Sequence, residues 1–101
     1  MKNYVYIYYN EGPKQPPTAE AMEAWNAWVG SLGESIVDAG NPLVGDKVVL
    51  KNGGSAHEDD AVIGYTIVKA QSMDKAVSMA KDCPLASAPG GSVRVYETAP
   101  M

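Results

Sequence analysis

The sequence has no phenylalanine, one cysteine and one histidine. Because Cys83 is alone, it cannot form an intramolecular disulfide, and this suits a reducing compartment. We therefore expect a cytoplasmic protein. The His-Glu-x-x-His spacing of zinc enzymes is absent, as are nucleotide, haem and iron–sulfur motifs. The sequence predicts no metal site and no cofactor.

Basic residues are few and scattered: 8 lysines and arginines stand against 12 acidic residues, for a net charge of −4. Nucleic acids and anionic membranes both require concentrated positive charge, so we expect neither as a partner. No apolar run approaches the roughly 20 residues that cross a bilayer. The start of the chain lacks an aliphatic signal-peptide core and reads as a strand.

The composition is that of one globular domain. A chain of 101 residues, 46% hydrophobic and 20% charged, fits a single domain over residues 1–101. A domain of this size buries a smaller share of its surface than a larger one does. Association with a second copy is therefore a plausible source of further burial.

The first half of the chain predicts a strand and then a helix. Tyr4 to Tyr9 are β-branched or aromatic, which indicates a strand. Thr18 is the expected N-cap of a helix from Ala19 to Leu32, which Gly33 ends. The apolar stripe of this helix comprises Met22, Trp25, Val29 and Leu32, with Trp28 beside it.

The second half predicts two strands, a helix and a last strand. Lys47–Lys51 and Val62–Ala70 are expected to form a long-tipped hairpin. Ser72 should cap a helix over Met73–Asp82, and Ser92–Thr98 reads as the final strand. The order β-α-β-β-α-β predicts an α+β, ferredoxin-like antiparallel sheet with two helices on one face.

The strand patterns indicate that the second sheet face is covered as well. Neither face of the first strand carries a charge, whereas a sheet face open to water should. We expect Val5 and Ile7 on one side and an aromatic, semi-polar surface on the other. That surface would hold Tyr4, Tyr6 and Tyr8, together with Arg94 and Tyr96 of the last strand. Packing against a second copy would cover it, so we expect a homodimer.

Five segments of the sequence carry a family resemblance: Gly64–Ala76, Cys83-Pro84, Ser92–Glu97, Trp25–Gly33 and Asp38–Pro42. This resemblance is to the YCII-related family and covers nearly the whole chain. It implies a dimeric α+β barrel with a cleft between sheet and loops. Founding members were proposed to use a histidine near the start of the first helix with an aspartate. This chain has no histidine between Thr18 and Gly33 and lacks the Asp-Gly-Pro-Phe motif of a related branch.

The candidate catalytic residue is His57, within His57-Glu58-Asp59-Asp60. Neighbouring carboxylates raise the pKa of a histidine, which suits a general base. The alternatives are a metal ligand and a solvated hairpin tip. Consecutive loop residues rarely converge on one ion, so the hairpin tip is the simplest interpretation.

Two further groups have both a ligand-binding and a structural interpretation. Asp38 with Asn41 could hold a polar group in a cleft, although both are standard turn residues. Trp25 and Trp28 could line a pocket or simply pack on the sheet. Cys83 follows a helix C-terminus, where the helix dipole disfavours a thiolate, so we do not expect a nucleophile there.

The tyrosines with Arg94 form the set of greatest functional interest. If Tyr6, Tyr8, Tyr65 and Arg94 share the barrel-facing side, they offer hydroxyl groups and one cation to an anionic or aromatic ligand. Dimer packing explains them equally well. The sequence thus predicts a small-molecule-binding protein or weakly specialised enzyme; the alternative is a non-catalytic homodimeric interaction module.

Overall fold

The computed structural model describes residues 1–11, 18–43, 49–56 and 62–99. Within them the chain forms strands and helices of the α+β class, as expected. The strands are β1 (Lys2–Asn10), β2 (Ile36–Asp38), β3 (Val49–Lys51), β4 (Gly54–Ala56), β5 (Val62–Ala70) and β6 (Gly91–Glu97). The helices are α1 (Ala19–Leu32), α2 (Met73–Ala80) and α3 (Pro84–Ser87), and a 3₁₀ turn covers Gly33–Ser35.

Four strands form one antiparallel sheet in the order β2-β5-β1-β6. The central strand β1 pairs with β5 from Lys2↔Ala70 to Tyr8↔Gly64, with an irregularity after Tyr8. On its other side it pairs with β6. The two long central strands therefore determine which side chains share a face.

The second strand of this sheet is not the predicted one. Ile36–Asp38 pairs with β5, and Ile36 packs against the core. Lys47–Lys51 was expected in that place, but its described part belongs to a separate ribbon, β3-β4. Asn52 and Gly53 connect the ribbon with φ angles of 49° and 80°. Positive φ at both central residues gives a tight hairpin turn that returns the chain at once to β4.

Both predicted helix caps are present. The Thr18 hydroxyl accepts a hydrogen bond from the Ala21 amide at 3.1 Å, and the Ser72 hydroxyl accepts one from Lys75 at 3.2 Å. Helix α1 has the predicted bounds, whereas α2 ends at Ala80. Cys83 follows shortly after α2 and is the N-cap of α3.

The helices pack on the tyrosine side of β1, which reverses the prediction for the two sheet faces. Tyr4, Tyr6 and Tyr8 are buried in the core beneath α1 and α2, while Val5 and Ile7 lie on the opposite side. A buried tyrosine needs an acceptor for its hydroxyl. Tyr6 finds one in the Ala76 carbonyl, at 2.6 Å, because the small residues of α2 let the helix approach the sheet.

Trp28, rather than Met22, is the main anchor of α1. Its side chain is 4% exposed, and its indole N–H donates to the Met79 carbonyl of α2 at 3.0 Å. Met22 is 48% exposed. The tryptophan therefore joins both helices to each other and to the sheet. None of the described helices combines the length and apolarity needed to span a membrane.

Candidate functional site

The sheet face opposite α1 and α2 carries the candidate site; we call it the open face. Its centre is aliphatic, with the partly buried side chains of Val5, Ile7 and Ile67. Ile7 lies between Tyr65 of β5 and Arg94 of β6 in the register of the sheet. The aliphatic centre is thus flanked by a phenol on one side and a cation on the other.

Arg94 is held between two aromatic side chains. Its guanidinium carbon lies 4.2 Å from the centre of the Tyr9 ring, a cation–π contact. A hydrogen bond to Tyr96, followed by the influence of Tyr9, raises the pKa of Arg94, so the group is a permanent cation. The only ion pair within residues 1–11, 18–43, 49–56 and 62–99 joins Lys2 to Glu97, so Arg94 has no carboxylate partner there.

A loop that follows β2 borders the opposite side of the open face. Asp38 ends β2 and its carboxylate accepts a hydrogen bond from the Gly40 amide at 2.8 Å. This is the turn geometry that the sequence offered as one of its two interpretations. The Asn41 side-chain amide donates to the Tyr65 hydroxyl at 3.3 Å. Asn41 and Tyr65 therefore present polar groups together at this border.

A buried polar chain fixes the loop to the sheet. The Tyr8 hydroxyl donates to the Thr66 hydroxyl at 2.7 Å, and Thr66 donates to the Ala39 carbonyl at 2.9 Å. Tyr8 and Thr66 are 3% and 0% exposed. Burial raises the pKa of Tyr8 above its usual range, although the bond with Thr66 acts in the other direction. Both hydroxyls remain neutral and serve the attachment of the loop.

The predicted site residues separate into two groups. Arg94 and Tyr65 share the open face, and Asp38, the last residue of β2 and the register partner of Ile67, lies at its border. Tyr6 and Tyr8 lie on the helix-covered side, where burial, with a smaller effect from Cys83, raises the pKa of Tyr6 to about 12. The structure therefore does not bring these two tyrosines together with Arg94.

The remaining candidates are placed as follows. His57 lies outside the described residues, and its catalytic role stays a prediction. The Trp25 and Trp28 rings pack against Tyr8, with the Tyr8 and Trp25 centres 4.9 Å apart in an edge-on arrangement. Burial raises the pKa of the Cys83 thiol, so the thiol is neutral. No group of three or more metal-binding side chains occurs in the part of the chain that is described.

Sequence reasoning missed Tyr9 and Thr66. Tyr9 belongs to the same period-two series as Val5 and Ile7, so the alternation of β1 places it beside Arg94 once the helix-covered side is known. Thr66 lies in the middle of β5 between Tyr65 and Ile67, and a threonine at a central position of a long strand was the available signal. The alternation of side chains along β1 and β5 does not show which side of the sheet the helices cover.

Comparison with family models identifies the family of the chain. The model described as YCII-related domain matches residues 1–101, the whole chain. Comparisons with curated proteins and with solved structures found no match. The extent of the family match agrees with the resemblance carried by the β5-α2 segment and the last strand, and the chain belongs to the YCII-related family.

Proposed function

We propose that this protein binds a small molecule on the open face, in a chamber closed by the same face of a second copy. The observation that carries the proposal is the composition of that face. It combines an aliphatic centre with a stacked cation that has no described carboxylate partner, and with a pair of polar groups at its border. Ligand sites are typically apolar cavities with a few polar groups placed at their edges.

The connectivity of the sheet supports a ferredoxin-like fold. If the ribbon β3-β4 is an insertion, the chain order is β1-α1-β2-β5-α2-β6, with the sheet order β2-β5-β1-β6. This is the alternation of two β-α-β units that defines the ferredoxin-like arrangement. Pairing two such sheets through their open faces would produce the dimeric α+β barrel that the family resemblance implies.

The open face also supports the homodimer. Val5, Ile7 and Ile67 form an apolar patch on the side away from α1 and α2. Tyr96 on the same face is 45% exposed. A contiguous apolar surface on a small domain favours association, and a two-fold dimer is the commonest solution because one patch can cover its own copy.

Binding is the part of the function that the described residues support best. A catalytic role would depend on His57, because the described hydrogen-bond partners of Asp38 and Tyr65 are the Gly40 amide and the Asn41 side-chain amide, and neither is a base. We therefore propose a ligand-binding protein, with enzymatic activity through His57 as a further prediction. A cytoplasmic location remains part of the proposal, from the lone cysteine.

The alternative is a non-catalytic interaction module, and the aliphatic centre of the open face favours it. A face that serves only assembly needs shape and apolar area but no cation. Under this alternative, Arg94 would contribute to packing by its aliphatic stem, and substitutions of Tyr65 or Tyr96 would yield monomers.

A thermal-shift screen against a broad set of metabolites tests the proposal. A ligand that binds only the folded protein stabilises it by about 2.7 kcal/mol at one hundred times its dissociation constant. We expect at least one compound to raise the melting temperature. In amide spectra of isotope-labelled protein, the same compound should shift signals of Val5, Ile7 and Ile67 but leave the exposed part of α1 around Met22 unchanged. A folded dimer that binds nothing would favour the interaction module, and shifts confined to α1 would contradict a ligand site on the open face.

A further inference from the structure

We propose that the ligand of the open face is a small monocarboxylate with an apolar or aromatic body. This inference rests on the proposed function and names the class of compound that the face would select. Arg94 would bind the carboxylate, the aliphatic centre would contact the body, and Tyr65 would meet a polar group at the far end.

The charge of the open face favours an anion. The chain as a whole carries a net charge of −4. On β1, β5 and β6, the positions that alternate with the buried tyrosine side include Arg94 and Lys69 and no acidic residue. Asp38, which ends β2 and pairs with Ile67, adds one carboxylate at the border, so the two cations outnumber the acidic groups at these strand positions by one. The face is therefore locally positive within an acidic protein. Such a contrast concentrates anions at the face and disfavours cations.

A second copy that covers the open face would remove Arg94 from water and so favour an anionic ligand. Moving an ionised group out of water without a partner of opposite charge costs roughly several kcal/mol, even after the protein relaxes around it. The described acidic residues offer Arg94 no partner, since the ion pair found there involves Lys2 and Glu97 instead. If a second copy closes over the face, an anionic ligand supplies the missing charge.

A carboxylate matches the site better than a phosphate. The guanidinium fork suits the two oxygens of a carboxylate, and stacking on Tyr9 fixes the plane of that fork. Phosphate sites usually add backbone amides of a helix N-terminus or a glycine-rich loop to the cation. Arg94 instead lies within a strand, between a tyrosine ring and a tyrosine hydroxyl. It supplies one positive charge, which matches the one negative charge of a carboxylate.

The length of the ligand follows from the register. Tyr65 and Arg94 flank Ile7 in the two neighbouring strands, so their backbones are about 10 Å apart, twice the spacing of paired strands. Both side chains rise from the same face, with the Arg94 guanidinium stacked on Tyr9 and the Tyr65 hydroxyl beside Asn41. The gap between them fits one ring or a short aliphatic chain over Ile7. Tyr65, which accepts a hydrogen bond from Asn41, can donate its own proton to the far end of the ligand.

Calorimetric titration of the dimer with para-hydroxybenzoate, its methyl ester and phenyl phosphate tests the class. We expect the acid to bind at least about tenfold more tightly than the ester, which lacks the charge but keeps the body and the hydroxyl. Arg94→Gln should weaken binding of the acid by roughly ten- to a hundredfold, as the loss of a charge-assisted hydrogen bond implies, and leave the ester unchanged. Lys75→Gln, which removes an exposed cation of α2 on the helix-covered side of the sheet, is the matched control and should change neither.

The inference is wrong if the acid and the ester bind equally, or if the Arg94→Gln protein retains full affinity for the acid. It is also wrong if phenyl phosphate binds more tightly than the acid, or if none of the three compounds binds. Dissociation of the Arg94→Gln dimer would also overturn it, because Arg94 would then pair with a carboxylate of the second copy. If a neutral compound binds the open face in the metabolite screen, the proposed ligand-binding function stands, but the ligand is not a monocarboxylate.

Discussion

Replacing Gly40 by alanine is expected to detach the loop that follows β2 from the sheet and to lower the free energy of unfolding by at least about 2 kcal/mol. A Cβ atom at this position would lie 1.6 Å from the Tyr65 carbonyl oxygen and 2.7 Å from its carbon. Both are backbone atoms of a central strand and cannot rotate away. The φ angle of +80° adds strain for any side chain. The loop must therefore move.

Urea unfolding of the Gly40→Ala protein measures this effect, and Gly30→Ala is its control. Gly30 lies within α1, and a Cβ there meets nothing within 4 Å. Alanine in a helix interior is favoured over glycine by about 1 kcal/mol, so the control should be slightly more stable than the parent. Equal stability of the Gly40→Ala protein and the parent would show that the loop does not lie against Tyr65 as described.

Replacing Trp28 by alanine is expected to cost about 3–5 kcal/mol, the range for removing a large aromatic side chain from a core. Trp28 is 4% exposed and contacts the Tyr6 and Tyr8 rings as well as α2. Because a domain of this size has a total stability of about 5–15 kcal/mol, the variant should be near the limit of folding. The melting temperature, followed by circular dichroism, gives the size of the effect.

Trp28→Phe separates packing from hydrogen bonding at the same position. Phenylalanine retains most of the ring but leaves the Met79 carbonyl without the indole donor. We expect a smaller loss, about 1–3 kcal/mol for an unsatisfied buried acceptor together with the reduced volume. If Trp28→Ala were no more destabilising than Trp28→Phe, the ring would not be the link between the two helices and the sheet.

The sequence predicted those elements whose signals are local. Helix α1 has the bounds expected from its cap and its glycine stop, and β5 has the bounds expected from its β-branched run. Thr18 and Ser72 cap their helices as predicted. Caps and runs of this kind depend on neighbouring residues only, so the tertiary structure did not have to be known.

The direction of the sheet faces was not predictable in the same way. Val5 with Ile7 is the more hydrophobic series of β1, yet the tyrosine series is the buried one. Two of the buried tyrosine hydroxyls donate hydrogen bonds to residues distant in sequence, the Ala76 carbonyl and the Thr66 hydroxyl. The sequence did not predict β2 as the second strand of the sheet for a similar reason, since its three residues become a strand only by pairing with β5.

The candidate site was predictable to the extent that it depends on single residues. Arg94 and Tyr65 were named and do share a face, while Tyr6 and Tyr8 belong to the core. The placement of Tyr9 under Arg94 depends on the register between β1 and β6. Register is fixed by the whole sheet, so no motif in the sequence carries it.

Sedimentation velocity of the protein and of two variants tests most directly whether the open face is the dimer interface. Val5→Glu places a charge at the aliphatic centre, and Met22→Glu places the same charge on the exposed side of α1. We predict a dimer, twice the 10.7 kDa chain mass, for the parent and for Met22→Glu, and a folded monomer for Val5→Glu. A monomeric parent at tens of micromolar, or a dimer that Val5→Glu leaves intact, would contradict the account.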